Sequence, residues 1–180
     1  MSSRPRIFTA ALLLGALLLL PACDTVDLGN GETVLLTRQV TFDFDFQQSG
    51  AQDARRVTSS NSIDLTGQLE GFLKSEILSA TVTEVALRRD QPVGRDLSSL
   101  MSGVEVELTA SGASAVTVAR ATTLPASNQA SLTTTSAAVT AQTRADRFGA
   151  ALTFTDLAAP PGGVYGFTLT VTLRIEVEGV

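Results

Sequence analysis

The sequence predicts a mainly β protein, an antiparallel β-sandwich with one short helix, preceded by a cleaved N-terminal segment. Three observations carry this. Apolar and polar residues alternate strictly over several stretches, with Val34, Leu36, Val40, Phe42, Phe44 and Phe46 against Thr41, Asp43 and Asp45 the clearest case. Turn-forming residues recur at short intervals between these stretches, and a helical period shows only once. Seven or eight such strands fit either an immunoglobulin-like Greek key or a jelly roll. The Cys…Trp…Cys hallmark of true immunoglobulin domains is absent, since the chain has one cysteine and no tryptophan.

Residues 1–22 read as a signal segment. Arg4 and Arg6 form a basic start without an acid, and Ile7 to Leu20 is almost wholly apolar. Fourteen helical residues span about 21 Å, short of the roughly 30 Å hydrocarbon core of a bilayer. The segment ends at Leu20-Pro21-Ala22-Cys23. These residues resemble the lipobox of bacterial lipoprotein precursors, a leucine, a variable residue, a small residue and the cysteine. The resemblance covers residues 1–23 only. It implies that the Cys23 thiol becomes a diacylglyceryl thioether, that cleavage precedes Cys23, and that the mature chain is exported and held on a cell membrane by its acyl chains. Asp24 resembles the inner-membrane retention signal of enteric bacteria, but sorting rules differ among bacterial groups, and the choice of membrane stays open.

Residues 23–33 follow as the lipidated cysteine and a polar, glycine-containing tether. Asp24, Asp27, Asn30 and Glu32 gather oxygen ligands around Gly29 and Gly31, which suits a hard cation. Their spacing departs from the EF-hand order, so the stretch reads as a solvated linker and no metal is predicted.

Residues 34–180 form the single domain. Val34 to Phe46 is a half-buried strand. Gln47 to Arg56 reads as a polar loop, and Val57, Ile63 and Leu65 resume a weaker strand. Leu65, Leu69, Phe72, Leu73 and Ile77 fall at helical spacing, which predicts a helix of two to three turns, with Asp64 or Thr66 as its cap. Ala80 to Arg89 returns to strand composition, with Thr81, Thr83, Val85 and Leu87 assigned to one side. Val104, Val106, Leu108 and Ala110 alternate with Glu105, Glu107 and Thr109. Ser111-Gly112 turns that strand into Ala113–Thr122, where Val116 and Val118 share a face. The Ser/Thr/Ala-rich tract from Pro125 to Arg147 fits an edge strand or a long loop equally. Phe148 to Phe154 alternates again. Pro160-Pro161-Gly162-Gly163 introduces the longest strand, Val164 to Glu178, placed centrally because it is long enough to cross the domain.

Composition narrows the function. Beyond Cys23 the chain has all eighteen acids and loses Arg4 and Arg6, so its formal charge falls from −5 to −7. An acidic domain without a basic run excludes nucleic acid as a partner and gives no electrostatic hold on anionic lipid. The chain has no histidine, one tyrosine (Tyr165) and one lysine (Lys74). Histidine-based catalysis is therefore excluded, and Lys74 lies outside any S-x-x-K arrangement. Same-face acids at Asp43/Asp45, Glu105/Glu107 and Glu176/Glu178 have the spacing of a carboxylate pair, and equally that of a charged outer face. The Phe42, Phe44 and Phe46 face fits either a packed core or the lining of an apolar cavity.

The expected protein is a lipid-anchored cell-envelope protein, not an enzyme. Its sandwich serves as a binding or structural module for an envelope protein or glycan, and no cofactor is expected. A carboxylate-based hydrolase of envelope polysaccharide and a carrier of a small apolar ligand are the alternatives.

Overall fold

The computed structural model describes residues 33–48, 52–158 and 163–179. The signal segment, Cys23 and the Asp24–Glu32 ligand set lie outside the described residues, as does most of the Pro160–Gly163 turn. Eight antiparallel strands carry the fold: β1 (Thr33–Gln48), β2 (Gln52–Thr58), β3 (Ile77–Gln91), β4 (Gly103–Ala110), β5 (Ala113–Ala121), β6 (Gln129–Thr134), β7 (Phe148–Leu157) and β8 (Gly163–Glu178). Two short helices, α1 (Leu97–Leu100) and α2 (Thr140–Arg144), lie in the connections. Among the described residues no helix is long and apolar enough to cross a membrane.

The strands run in the order β1-β8-β3-β6-β5-β4-β7-β2. Strand β1 pairs with β8, β2 with β7, β3 with β6 and β4 with β5. This is a hairpin of hairpins rolled into two facing layers, and of the two topologies the sequence permits it is the jelly roll. One layer is β1-β8-β3-β6 and the other β5-β4-β7-β2, joined by the two-residue pairing of β5 with β6.

Aromatic rings fill the space between the layers. Phe42 meets Phe148 edge-on at 5.7 Å, and Phe154 lies 5.1 Å from Phe167 and 5.7 Å from Phe46. Strand β8 is flanked on both sides, as its length suggests. Its inward residues Tyr165, Phe167, Leu169, Val171, Leu173, Ile175 and Val177 are all buried. At the open seam between β1 and β2, Asn61 stands in for a strand. Its Oδ1 accepts from the Asp43 N–H (2.9 Å) and its Nδ2 donates to the Thr41 carbonyl (3.0 Å), while Ser60 N–H donates to the Asp43 carbonyl (2.7 Å). Part of the free edge of β1 is thereby satisfied.

Four sequence expectations need correction. The helix expected from Leu65 to Leu78 is two single 3-10 turns, Thr66–Gln68 and Lys74–Glu76. Glu70 and Gly71 adopt φ +54 and +98, which no α-helix accommodates. The helical spacing instead records Leu65, Leu69 and Ile77 reaching the core separately. Asp64 holds the first turn by accepting from the Thr66 N–H (3.0 Å) and hydroxyl (2.7 Å).

The stretch expected as a loop, Gln47 to Arg56, contains the end of β1 and most of β2. Arg55 stacks over the Phe46 ring at 4.5 Å and Arg56 pairs with Glu107, so cross-strand partners stabilise a strand that its polar sequence conceals. Ile63 forms only an isolated bridge to Phe148.

On β3, Val82 is buried and Thr83 exposed, the reverse of the expected parity. Register shifts between Ile77/Ser79 and between Val82/Glu84 swap the inward face from Ile77 to Ala80 and Val82, and then to Val85 and Leu87. The Ser/Thr/Ala-rich tract supplies both β6 and α2.

Candidate functional site

The three acid pairs do not converge. Asp43 and Asp45 project outward from β1 opposite Thr168 and Gly166, while Glu176 and Glu178 project outward from β8 opposite Leu35 and Thr33. Eight residues of strand, about 26 Å at ~3.3 Å per residue, separate the two sets. Glu105 and Glu107 stand on the outer face of the other layer. Glu107 is bound by Arg56 (2.9 Å), and Glu176 accepts from the Ser79 hydroxyl (2.8 Å). Among the described residues no three histidine, cysteine or acidic side chains gather into a metal-binding group. The phenylalanine face of β1 meets the rings of β7 and β8, so it is core packing.

Lys74 is a clamp. Its Nζ contacts Asp64 Oδ1 at 2.7 Å and donates to the Asp146 carbonyl at 2.8 Å, tying the 3-10 segment to the segment after α2. The lysine, together with the Thr66 N–H and hydroxyl, holds the exposed Asp64 carboxyl well below the usual carboxylate range. Both side-chain nitrogens of Arg144 that face Ile77 donate to its carbonyl. The cleft of about 490 Å³ formed by Ser111, Arg144, Ala145, Asp146 and Arg147 therefore has one of its two guanidinium groups committed to the fold.

A second depression, about 390 Å³, lies on the outer face of β4, β5 and β7. Its lining includes Ser102, Glu105, Arg120, Thr122, Thr153 and Thr155. Glu105 lies in register with Arg120 on β5 and with Thr153 on β7, so the carboxylate sits between a cation and a hydroxyl. The floor is close because residue 103 is glycine: a Cβ there would stand 2.9 Å from the Ala121 carbonyl oxygen. Ser102 Oγ donates to Asp156 Oδ2 at 2.7 Å. A serine bonded to a carboxylate without an imidazole between them lacks the activated-nucleophile arrangement. The groove offers donors and acceptors in quantity, one carboxylate and one guanidinium. That set suits hydrogen bonding to a polar partner.

The groove escaped sequence reasoning because its residues come from three strands. Glu105 was legible as outward-facing from its alternation with Val104 and Val106. Nothing in the sequence signalled that Arg120, Thr153 and Thr155 would stand beside it. The groove lies in the half of the molecule remote from Thr33, since Thr155 pairs with Ala54 and Phe154 packs on Phe46 near the far end of β1.

No protein-family model matches the chain, and no curated protein matches it. A solved structure described as that of infectious bursal disease virus, Gx strain, is similar with a TM-score of 0.40 and 14% identity over 82% of this chain. The match covers 32% of that viral chain, so this chain spans about a third of its length.

Proposed function

We propose that this protein is exported, is anchored to a bacterial cell membrane by acyl chains on Cys23, and uses its jelly roll as a non-catalytic binding module for a polar envelope component, protein or glycan. The polar groove of Glu105, Arg120, Thr153 and Thr155 carries this reading, because it lies toward the end of the sandwich opposite Thr33. A chain tethered through residues 23–33 presents that end away from the bilayer. Two or more acyl chains on Cys23 turn marginal membrane contact into stable anchoring. The hydrolase alternative finds no support in the acid pairs, which stand apart on the outer surfaces of the two layers. The carrier alternative finds none in the phenylalanine face, which is filled by rings.

Metabolic labelling with a fatty-acid probe tests the anchor. Wild type is expected to label and to stay with membranes through an alkaline carbonate wash, and the Cys23→Ala protein to do neither. Equal labelling of the two proteins refutes the anchor. The groove is tested separately, with Thr155→Tyr filling it from an exposed position. That variant is expected to lose retention on isolated cell-envelope material by about tenfold, the equivalent of 1.4 kcal/mol. Unchanged retention removes the groove from the reading and leaves the anchor standing.

A further inference from the structure

The end of the sandwich remote from Thr33 buries a cation that no carboxylate among the described residues pairs with. Arg89 points inward from β3 and is 7% exposed. Its Nη1 donates to the Pro92 carbonyl, and its backbone N–H donates to the Asn128 carbonyl (2.8 Å). Among the described residues its Nε is buried without a partner, and no carboxylate pairs with the guanidinium. The Nε/Nη2 edge left over is one that binds a planar oxyanion through two parallel hydrogen bonds.

A second orphan lies on the neighbouring strand, at the same end of the core. Arg89 stands opposite Phe167 in the β3–β8 register, and Tyr165 is two residues along β8 on the same inward face, about 7 Å away by strand geometry. Tyr165 is fully buried and its hydroxyl has no partner among the described residues. Burial pushes that hydroxyl above its ordinary pKa, and the charge of nearby Arg95 partly opposes the shift. Arg95 is exposed, on the connection that follows Pro92, the residue whose carbonyl holds Arg89. Two cations and a phenolic donor thus lie at one end of the core.

We propose that Arg89, Arg95 and Tyr165 form a binding site for a small oxyanion, a carboxylate or phosphate group carried by the ligand. Interior water can satisfy orphan polar atoms, but it brings no negative charge to a buried guanidinium. The exposed Arg95 gives an anion a second contact at the rim. The site is separate from the groove on β4, β5 and β7 and depends neither on it nor on the anchor.

The test is calorimetric titration of the intact protein, solubilised in a non-ionic detergent, with sodium acetate and with sodium phosphate at constant ionic strength, sodium chloride serving as control. Saturable binding of at least one oxyanion is expected, and the tighter of the two identifies the source. Arg89→Met and Arg95→Ala are each expected to weaken it about tenfold or more, the size of one charge-assisted hydrogen bond. Tyr165→Phe is expected to weaken it less. If Arg89→Met fails to fold, the exposed Arg95→Ala decides the matter alone. No saturable binding of either anion, or variants that bind as tightly as wild type, overturns the proposal and leaves an interior water only.

Discussion

Replacing Phe167 with alanine is expected to lower the folding free energy by about 3–5 kcal/mol. Phe167 is 1% exposed on the strand flanked on both sides, and its ring lies 5.1 Å from Phe154 and 6.1 Å from Phe46. Truncation removes contacts from both layers at once. The hole has backbone on either side, because β8 is hydrogen-bonded to β1 and to β3 and has little freedom to collapse inward. For a domain of this size the midpoint of thermal unfolding falls by about 2–4 °C per kcal/mol, so a drop of roughly 6–20 °C is expected. Scanning calorimetry or circular dichroism measures it. A loss below about 1 kcal/mol refutes the packing described for this end of the sandwich.

The second large effect separates the observed parity of β3 from the simple alternation. Val82→Asp is expected to cost more than about 3 kcal/mol, since Val82 is 3% exposed and an ionised carboxylate there has no partner. Thr83→Glu is expected to stay within about 0.5–1 kcal/mol, because Thr83 faces solvent. Strict alternation with Val85 predicts the opposite ranking. Urea denaturation of the two variants decides between them. Equal costs, or the reverse order, refute the register shift between Val82 and Glu84.

The contrast between β3 and β8 shows how far pattern alone reaches. From Tyr165 to Val177 the sequence alternates without interruption, and each expected inward residue is buried. The same holds for Val104, Val106 and Leu108 on β4. On β3 the alternation is real but is reset by extra residues whose positions no propensity marks. Near Leu65 the apolar spacing fits a helix, yet Glu70 and Gly71 take left-handed φ and the chain turns instead. The polar stretch Gln52–Thr58 pairs along β7 because Arg55 and Arg56 find Phe46 and Glu107, partners from other strands.

The sites divide in the same way. The expectation at Cys23 rests on the sequence alone, because a lipobox-like pattern is linear: basic residues, apolar run and cysteine are neighbours in the chain. The groove residues Glu105, Arg120 and Thr153 were not legible as a set, since register across three strands assembles them. Arg89 read as one more residue of a strand. Its burial follows the inward phase of Val85 and Leu87, and the Pro92 carbonyl of the following connection accepts from it.

By itself, then, the sequence determined that this protein is built of antiparallel strands and which faces of its regular strands turn inward. Each of these is set by interactions between residues a few positions apart. The tertiary structure alone decided that the strands roll into a jelly roll, that the acid pairs stay apart, and that a guanidinium is buried at one end of the core. Those outcomes rest on hydrogen bonds and contacts between residues tens of positions apart, and local period carries no record of which partner a strand will take.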